Sequence, residues 1–220
     1  MLKNESKNIL GIENAKIFSA PLYRSNISLS VKNNLKEQNK IYEIIKLCNK
    51  YKHCPGIVYC NTRRTANSIA NKLKHRGINA LSYHAGMTGK ERNLVQQSFF
   101  DSKVDIVCAT IAFGMGIDKS DIRWIVHYNI PQSIETYYQE IGRAGRDGLN
   151  SEALLLFNDD DTELIETFAL RSGNTDINLN KLQILKSYVN SKICRWQFII
   201  NYFGENEDLS NCNCDICSST

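Results

Sequence analysis

The sequence has no run of about 20 apolar residues, the length that a membrane-spanning helix requires. Its first residues, MLKNESKN, are polar and lack the apolar core of a secretory signal. It contains only three prolines, and it shows no internal repeat and no low-complexity tract. These absences argue against a membrane protein and a fibrous or disordered chain, and they predict an intracellular protein.

The composition predicts a folded domain with a small appendage. The chain has 220 residues, of which 42% are hydrophobic and 23% are charged, an ordinary balance for a globular protein. Its net charge of +4 permits nucleic-acid binding but does not require it, because many soluble domains carry such a charge without a partner.

The eight cysteines form two groups, and an intracellular location argues against disulfides in either. The first group is scattered through apolar or helical context, where buried thiols behave as small hydrophobes: Cys48, Cys54, Cys60 and Cys108. The second lies within the last 27 residues: Cys194, Cys212, Cys214 and Cys217. Four thiolates can form a closed tetrahedral zinc site, so the second group is a candidate structural metal centre.

Between Tyr23 and Phe157, short apolar runs alternate with helical stretches. The strand-like runs are GIVYC, INALSYH, VDIVCAT, IRWIVHYN and EALLLFN, and helical spacing appears in SIANKLKHRG, which Gly77 ends, and in KERNLVQQSFF. This alternation predicts an α/β fold with a mainly parallel sheet and helices on both faces. Ligands of such sheets bind beyond the carboxyl ends of the strands, so we expect the site residues there.

After Asp161 the pattern becomes helical, in TELIETFALR and KLQILKSYVNSKICRWQFIINYF. The polar stretch from Ser172 to Asn180 predicts a boundary between domains at 1–172 and 173–220. We interpret LLLFNDDD as the last strand, with Asp161 as the N-cap of the next helix.

The segment YYQEIGRAGRDG, from Tyr137 to Gly148, carries the strongest chemical signal. Its glycines allow close backbone packing, so Arg143 and Arg146 could be directed at one anion. For an isolated RAGR, a solvated basic turn would be an equally good interpretation.

Two further segments follow predicted strands. In ATIAFGMGIDK, the loop around Gly114 and Gly116 can bring backbone amides close to a phosphate or ribose, although Asp118 could also be a helix cap. VYCNTRR, with YHAG downstream, places polar residues where a single-stranded backbone could be held: Asn61, Arg63 and His84. The alternatives are that Asn61 and Thr62 cap the following helix and that His84 is structural.

Together these segments resemble the RecQ family of superfamily 2 DNA helicases, from about residue 16 to residue 217. YYQEIGRAGRDG resembles motif VI, ATIAFGMGIDK motif V and VYCNTRR motif IV, while CRWQFIINYFGE and CDIC resemble the family's zinc domain. PLYRSNI resembles a Phe-Arg-Asn segment that opens the domain, with Leu22-Tyr23 in place of the usual aromatic. The resemblance implies a second RecA-like domain followed by a small, mostly helical zinc-binding domain.

The resemblance also implies roles for individual residues. Arg146 would be the arginine finger that reaches the γ-phosphate of ATP, Arg143 would support it, and Gln139 would couple nucleotide state to domain closure. Gly116 and Asp118 would contact the nucleotide or the partner domain, and Thr110 would join Asn61, Arg63 and His84 on DNA. Cys194, Cys212, Cys214 and Cys217 would bind the zinc, although Cys212 stands one place nearer to Cys214 than the family's C-x2-C-x2-C ending expects.

The implied activity is ATP-driven unwinding of DNA with 3′-to-5′ polarity, at single strands and duplex junctions, with structural Zn²⁺ and with ATP and Mg²⁺ in the complete enzyme. The phosphate loop G-x4-GK-[ST] and the Asp-Glu-x-His motif of a first RecA-like domain are absent. We therefore expect a fragment, a truncated gene or half of a split enzyme, inactive on ATP until a first RecA-like domain is supplied in cis or in trans. The alternatives are a non-catalytic nucleic-acid-binding or regulatory module and a related motor that acts on RNA.

Overall fold

A six-stranded, entirely parallel sheet forms the centre of the protein. The computed structural model describes residues 11, 16, 20–114, 117–171 and 174–219. The strands are β1 (Ile27–Lys32), β2 (Gly56–Tyr59), β3 (Ala80–Tyr83), β4 (Ile106–Ala109), β5 (Trp124–His127) and β6 (Ser151–Leu156). They lie in the order β1-β6-β5-β2-β4-β3, which confirms the predicted α/β sheet.

β1 is a strand that the sequence analysis did not identify. Its segment, ISLSVK, alternates apolar and polar residues, and it buries Ile27 and Leu29. β1 pairs with β6 in parallel from Ile27 opposite Ser151 to Lys32 opposite Leu156, and it lies at one edge of the sheet. The alternation suits an edge strand that has one buried side.

Helices cover both faces of the sheet, as predicted. They are α1 (Glu37–Lys50), α2 (Arg63–Lys74), α3 (Gly89–Phe100), α4 (Ile134–Ile141), α5 (Asp160–Arg171), α6 (Thr175–Asn190) and α7 (Arg195–Tyr202). Because successive side chains of a strand point to opposite faces, Val58 packs with α1 and α2, whereas Ile57 belongs to the cluster with the other five helices. None of the described helices combines the length and apolar character that crossing a bilayer requires.

Local hydrogen bonds and a glycine explain the start of α3 and the end of α2. Thr88 and Glu91 form a reciprocal capping box at the start of α3. Gly77 adopts φ of +74°, and its N–H donates to the carbonyl of Lys74, so it follows the end of α2 as predicted.

Asp161 does not cap a helix, so that interpretation was wrong. α5 already begins at Asp160, and the Asp161 carboxylate instead accepts from Lys40 Nζ at 2.6 Å and from Asn129 Nδ2 at 2.8 Å. The aspartate is therefore a tether between α5, α1 and the end of β5.

The C-terminal helices share the core of the sheet. Tyr188 and Trp196 belong to the same buried cluster as Ile27 and Tyr137. The Trp196 indole donates to the carbonyl of Ile27 at 3.0 Å. Residues 172 and 173, where the domain boundary was predicted, lie outside the described residues, and the division into two domains stays a prediction.

Candidate functional site

Three neighbouring strands bring the predicted nucleic-acid-binding residues to one edge of the sheet. β2, β4 and β3 are adjacent and parallel, so Asn61, Thr110 and His84 follow their carboxyl ends side by side. Asn61 and Thr110 line the same pocket. Arg63, two residues beyond Asn61, is exposed at the start of α2.

Asn61 fixes a loop rather than capping a helix. Its side-chain amide donates to the carbonyl of Ile130 at 3.1 Å, and its backbone N–H donates to Asn129 Oδ1 at 3.2 Å. The cap of α2 is Thr62, whose hydroxyl accepts from the N–H of Thr65. The alternative that both residues cap the helix therefore holds for Thr62 alone, and Asn129 is a contributor that the sequence analysis missed.

His84 is buried, and one of its two ring nitrogens is paired within the protein. Its Nε2 lies 3.1 Å from Asn67 Oδ1, and its Nδ1 has no hydrogen-bond partner among the described atoms. A Cβ at Gly86 would lie 2.9 Å from Arg63 Nη1, so the absent side chain leaves room for the guanidinium. The YHAG turn thus accommodates the side chain of Arg63.

The segment from Gly142 to Gly148 does not lie at the carboxyl ends of the strands. The N–H of Gly145 donates to the carbonyl of Ile122, and that of Asp147 donates to Ser120, both of which precede β5. The segment is a series of turns after α4 and leads into β6. Our expectation of a carboxyl-end location was therefore wrong for the backbone of residues 145–147.

Arg143 and Arg146 both contact the glycine-rich segment that follows β4. Arg146 Nη1 lies 2.6 Å from Asp118 Oδ1 and 3.3 Å from the carbonyl of Ile117. A Cβ at Gly114 would lie 3.3 Å from Arg143 Nη2, so the Arg143 guanidinium packs over this glycine. Asp118 caps no helix, because the next helix in the chain begins at Ile134.

Gly116 and Gln139 are the other two residues with predicted nucleotide-related roles, and the structure tests neither role. Gly116 lies outside the described residues, so its predicted contact with a nucleotide stays a prediction. Gln139 lies on α4, and it is exposed to solvent there.

Arg24 and Asn26 hold the backbone beside Arg146. Arg24 Nη2 donates to the carbonyl of Gly145 at 2.7 Å, and Asn26 Nδ2 donates to the same carbonyl at 2.9 Å. The PLYRSNI segment therefore contacts the motif VI segment, although about 120 residues separate them in the chain.

A buried histidine–carboxylate pair joins β5 to α4, and sequence analysis missed it. His127 Nε2 lies 2.7 Å from Glu140 Oε2, and both side chains are almost fully buried. The His127 ring stacks on Tyr59 and meets Tyr137 edge-on. Burial raises the pKa of Tyr59 above its ordinary value. A histidine within the apolar run IRWIVHYN was the only sequence signal of this pair.

The four C-terminal cysteines converge on one point. Their Sγ atoms all lie within 4.8 Å of one another, with 3.4 Å between Cys194 and Cys212 and 3.8 Å between Cys194 and Cys214. Zinc–sulfur bonds of about 2.3 Å in a tetrahedron place the sulfurs about 3.8 Å apart, so the separations fit that metal. Cys212 belongs to this group despite its short spacing to Cys214.

The electrostatics of the cysteines also suit a cation. Burial would raise the pKa of Cys214, but backbone N–H groups of residues 217, 195 and 216 bring it below its ordinary value. Burial and neighbouring thiols raise the pKa of Cys217 to about 11. Because thiolates repel one another, a bound divalent cation would be needed for all four to ionise together.

Two family models match the chain. The helicase conserved C-terminal domain matches residues 37–148, and the RecQ zinc-binding family matches residues 159–218. The second match contains all four converging cysteines.

Individual relatives agree with these matches. The chain is 39% identical to an ATP-dependent DNA helicase RecQ of Haemophilus influenzae, over 94% of the chain and 34% of the relative. It is 36% identical to a putative ATP-dependent RNA helicase of Acanthamoeba polyphaga mimivirus, over 95% of the chain and 38% of the relative. The chain thus spans somewhat more than a third of the length of these relatives.

The fold resembles that of Saccharomyces cerevisiae Dbp5 bound to RNA and ADP BeF3, with a TM-score of 0.60 and 21% identity, over 86% of this chain and 52% of that one. At this identity the likeness concerns the fold alone, and it supports a RecA-like sheet. The two family matches show that the chain belongs to the helicase conserved C-terminal domain family and forms the C-terminal part of a RecQ-family catalytic core.

Proposed function

We propose that the chain is the arginine-finger half of an ATP-dependent DNA helicase that unwinds duplexes with 3′-to-5′ polarity. The observation that carries this proposal is the contact of Arg146 with Asp118 at 2.6 Å, at a surface where 37% of the arginine side chain remains exposed. An arginine finger must be oriented yet reachable by a nucleotide held on another domain, and it contributes roughly 10³–10⁵ in rate. Arg143 would support it from its position over Gly114, and Gln139, Gly116 and Asp118 would face the nucleotide or the first RecA-like domain.

The edge formed by β2, β4 and β3 is the proposed DNA surface. Arg63 is exposed and can contact a phosphate, and Asn61 and Thr110 border the adjacent pocket. His84 belongs to the turn that accommodates the Arg63 side chain. Contacts of this type with phosphates give affinity without sequence selection, which suits a helicase acting on single strands and duplex junctions.

The cofactors have separate roles in this proposal. Cys194, Cys212, Cys214 and Cys217 would hold a structural Zn²⁺ in the domain spanning residues 173–220, because four thiolates complete a tetrahedral site. ATP and Mg²⁺ would bind in the complete enzyme, where 1–172 forms the second RecA-like domain. The corresponding location is inside the cell, in the cytoplasm, nucleoid or nucleus.

ATP hydrolysis tests the proposal. The chain would be assayed alone and with the first RecA-like domain of the Haemophilus influenzae relative added in trans or fused, each with and without single-stranded DNA. We expect no hydrolysis by the chain alone, DNA-stimulated hydrolysis in the combination, and loss of that hydrolysis in Arg146→Ala but not in Arg76→Ala. Hydrolysis by the chain alone would contradict the proposal that the chain is half of the enzyme. Hydrolysis in the combination that does not depend on Arg146 would favour a non-catalytic module.

RNA is the second candidate substrate, because the mimivirus relative is described as a putative RNA helicase. The same assay with DNA and RNA strands of equal sequence separates the two. Stronger stimulation by DNA supports the RecQ-type proposal, and stronger stimulation by RNA supports this alternative.

A further inference from the structure

The segment from Leu22 to Ile27, here called the linking segment, lies between the cysteine cluster and the motif VI segment. It enters β1, and Ile27 is fully buried. The N–H of Ile27 donates to the carbonyl of Arg24 at 2.9 Å, which closes a turn immediately before the strand. One side of the turn faces the C-terminal region, and the other faces Gly145.

Its contacts with the C-terminal region centre on Glu207. The two carboxylate oxygens accept from the N–H groups of Leu22 and Tyr23, at 2.6 and 2.9 Å. The Tyr23 ring packs edge-on against Trp196 with 5.5 Å between centroids, and Trp196 itself follows Cys194 by two residues. Glu207 itself precedes Cys212 by five residues.

Its contacts with the motif VI segment centre on the carbonyl of Gly145, the residue before Arg146. Besides the bonds from Arg24 and Asn26 to this carbonyl, Arg24 reaches the carbonyl of Ala144 at 3.4 Å and Asn26 reaches that of Leu149 at 3.0 Å. Gly145 has φ of +54°, and an added Cβ would lie 2.5 Å from Asn26 Nδ2. The backbone beside Arg146 is therefore fixed by donors from the linking segment.

We propose that the linking segment couples the cysteine cluster to Arg146, and that Arg24 and Glu207 are positioning residues for the proposed arginine finger. This inference rests on the proposed function. The path runs from Glu207, five residues before Cys212, through the backbone of Leu22 and Tyr23 to Arg24 and the carbonyl of Gly145. A metal that holds Cys212 in place would also fix Glu207 and, through it, the backbone of Leu22 and Tyr23. A finger displaced by about 1 Å loses up to about 100-fold in rate, so such bonds have consequences for catalysis.

Hydrogen exchange of the complete, zinc-loaded chain provides the first test, and it requires no catalysis. We expect Arg24→Ala and Glu207→Ala to accelerate amide exchange in residues 142–151 about tenfold, because each removes bonds that hold this backbone. Residues 56–60 should be unchanged, zinc content should remain near one ion per chain in Arg24→Ala, and Arg24→Lys should restore part of the protection.

Two variants serve as controls. Asp208→Asn alters a neighbour of Glu207 that bonds to Ser210, and Arg76→Ala removes an arginine just beyond α2 that bonds to the carbonyl of Lys72. Both should leave residues 142–151 protected. Normal protection there in Glu207→Ala, or equal acceleration by Asp208→Asn, would overturn the coupling.

Metal removal gives an independent arm of the same experiment. Chelation should accelerate exchange in residues 142–151 of the wild-type chain more than in residues 56–60, and this excess should be small in Glu207→Ala, because that variant has already lost the connection. A chelator effect confined to residues 194–219 would contradict the proposal.

Kinetics of the combination with a first RecA-like domain form the last test. Arg24→Ala and Glu207→Ala should lower kcat about 10- to 100-fold with little change in KM for ATP, and neither should reduce kcat further in an Arg146→Ala background. Equal losses in both backgrounds would overturn the linking role. Hydrolysis that does not depend on Arg146 would instead overturn the proposed function, and the exchange data would still decide whether the cysteine cluster and residues 142–151 are coupled.

Discussion

Gly56 shows how closely this sheet is packed at the scale of a single residue. It is the first residue of β2, and a Cβ built on it would lie 2.1 Å from Cε2 of the fully buried Trp124 ring. Glycine within a strand often marks such a close approach. The indole of β5 therefore occupies the space that any other residue at position 56 would need.

Gly56→Ala should destabilise the chain by about 1–3 kcal/mol, because the ring or the strand must move to admit the methyl group. Gly89→Ala is the matched control. Gly89 begins α3, has no atom within 4 Å of an added Cβ, and should gain slightly from the better helix propensity of alanine. Urea denaturation of both variants measures the difference, and equal midpoints would contradict the clash.

Asp147 links stability to pH. The hydrogen bond from Arg123 Nη2, at 2.6 Å, lowers the pKa of Asp147 below its ordinary value. A carboxylate whose folded pKa is depressed stabilises the fold above its unfolded pKa of about 3.9, and this contribution is lost as the pH falls through the lower folded value.

Asp147→Asn should accordingly be less stable than the wild type at pH 7, and this difference should shrink below about pH 4. Urea midpoints between pH 7 and pH 3 provide the measurement, with Asp208→Asn as control. A difference that stays constant across this range would mean that the Arg123 bond does not depend on the charge of Asp147.

Among the elements, α1, α5 and β5 are joined by one polar network. Lys40 Nζ donates to the carbonyl of Tyr128 at 2.9 Å and to Asp161, and Asp161 accepts from Asn129, which also accepts from the N–H of Asn61. The Lys40 side chain is 4% exposed. The network therefore connects the buried charge of Lys40 to Asn61 at the proposed DNA surface.

Lys40→Ala should cost roughly 3–5 kcal/mol, because it leaves the Asp161 carboxylate poorly compensated in a largely buried place. Lys72→Ala breaks the exposed pair with Glu37 and should cost at most about 1 kcal/mol. Denaturation of the two variants in parallel tests the contrast. Similar small losses in both would show that the Lys40 pair is as well solvated as a surface pair.

The sequence predicted those elements whose apolar pattern is strong. Five strands were found from compact apolar runs, whereas β1 was missed because serines alternate with its apolar residues. Motif spacing placed Asn61, Thr110 and His84 at strand ends correctly, since parallel strands share an edge. Pairings such as Arg24 with Gly145 or His127 with Glu140 depend on tertiary packing, which one sequence does not encode in any local pattern.

At the scale of the whole molecule, the cysteine cluster is continuous with the sheet. Cys214 is buried in the same cluster as Leu29, the N–H of Asp215 donates to the carbonyl of Leu29 at 2.9 Å, and its carboxylate accepts from the N–H of Val31. Arg195 binds that carboxylate through two nitrogens. The segment that carries Cys212, Cys214 and Cys217 thus covers the free edge of β1.

Zinc removal should therefore destabilise the entire chain rather than its last residues alone. Structural zinc sites contribute about 10–16 kcal/mol of apparent binding energy in small domains, and here that energy would support a shared core. We expect one cooperative thermal transition that moves to lower temperature on chelation. Cys214→Ala should behave like the chelated protein, and Cys54→Ala, which alters a thiol outside the cluster, should melt like the wild type. Two separate transitions, with only the lower one sensitive to chelation, would mean that residues 173–220 unfold as an independent domain.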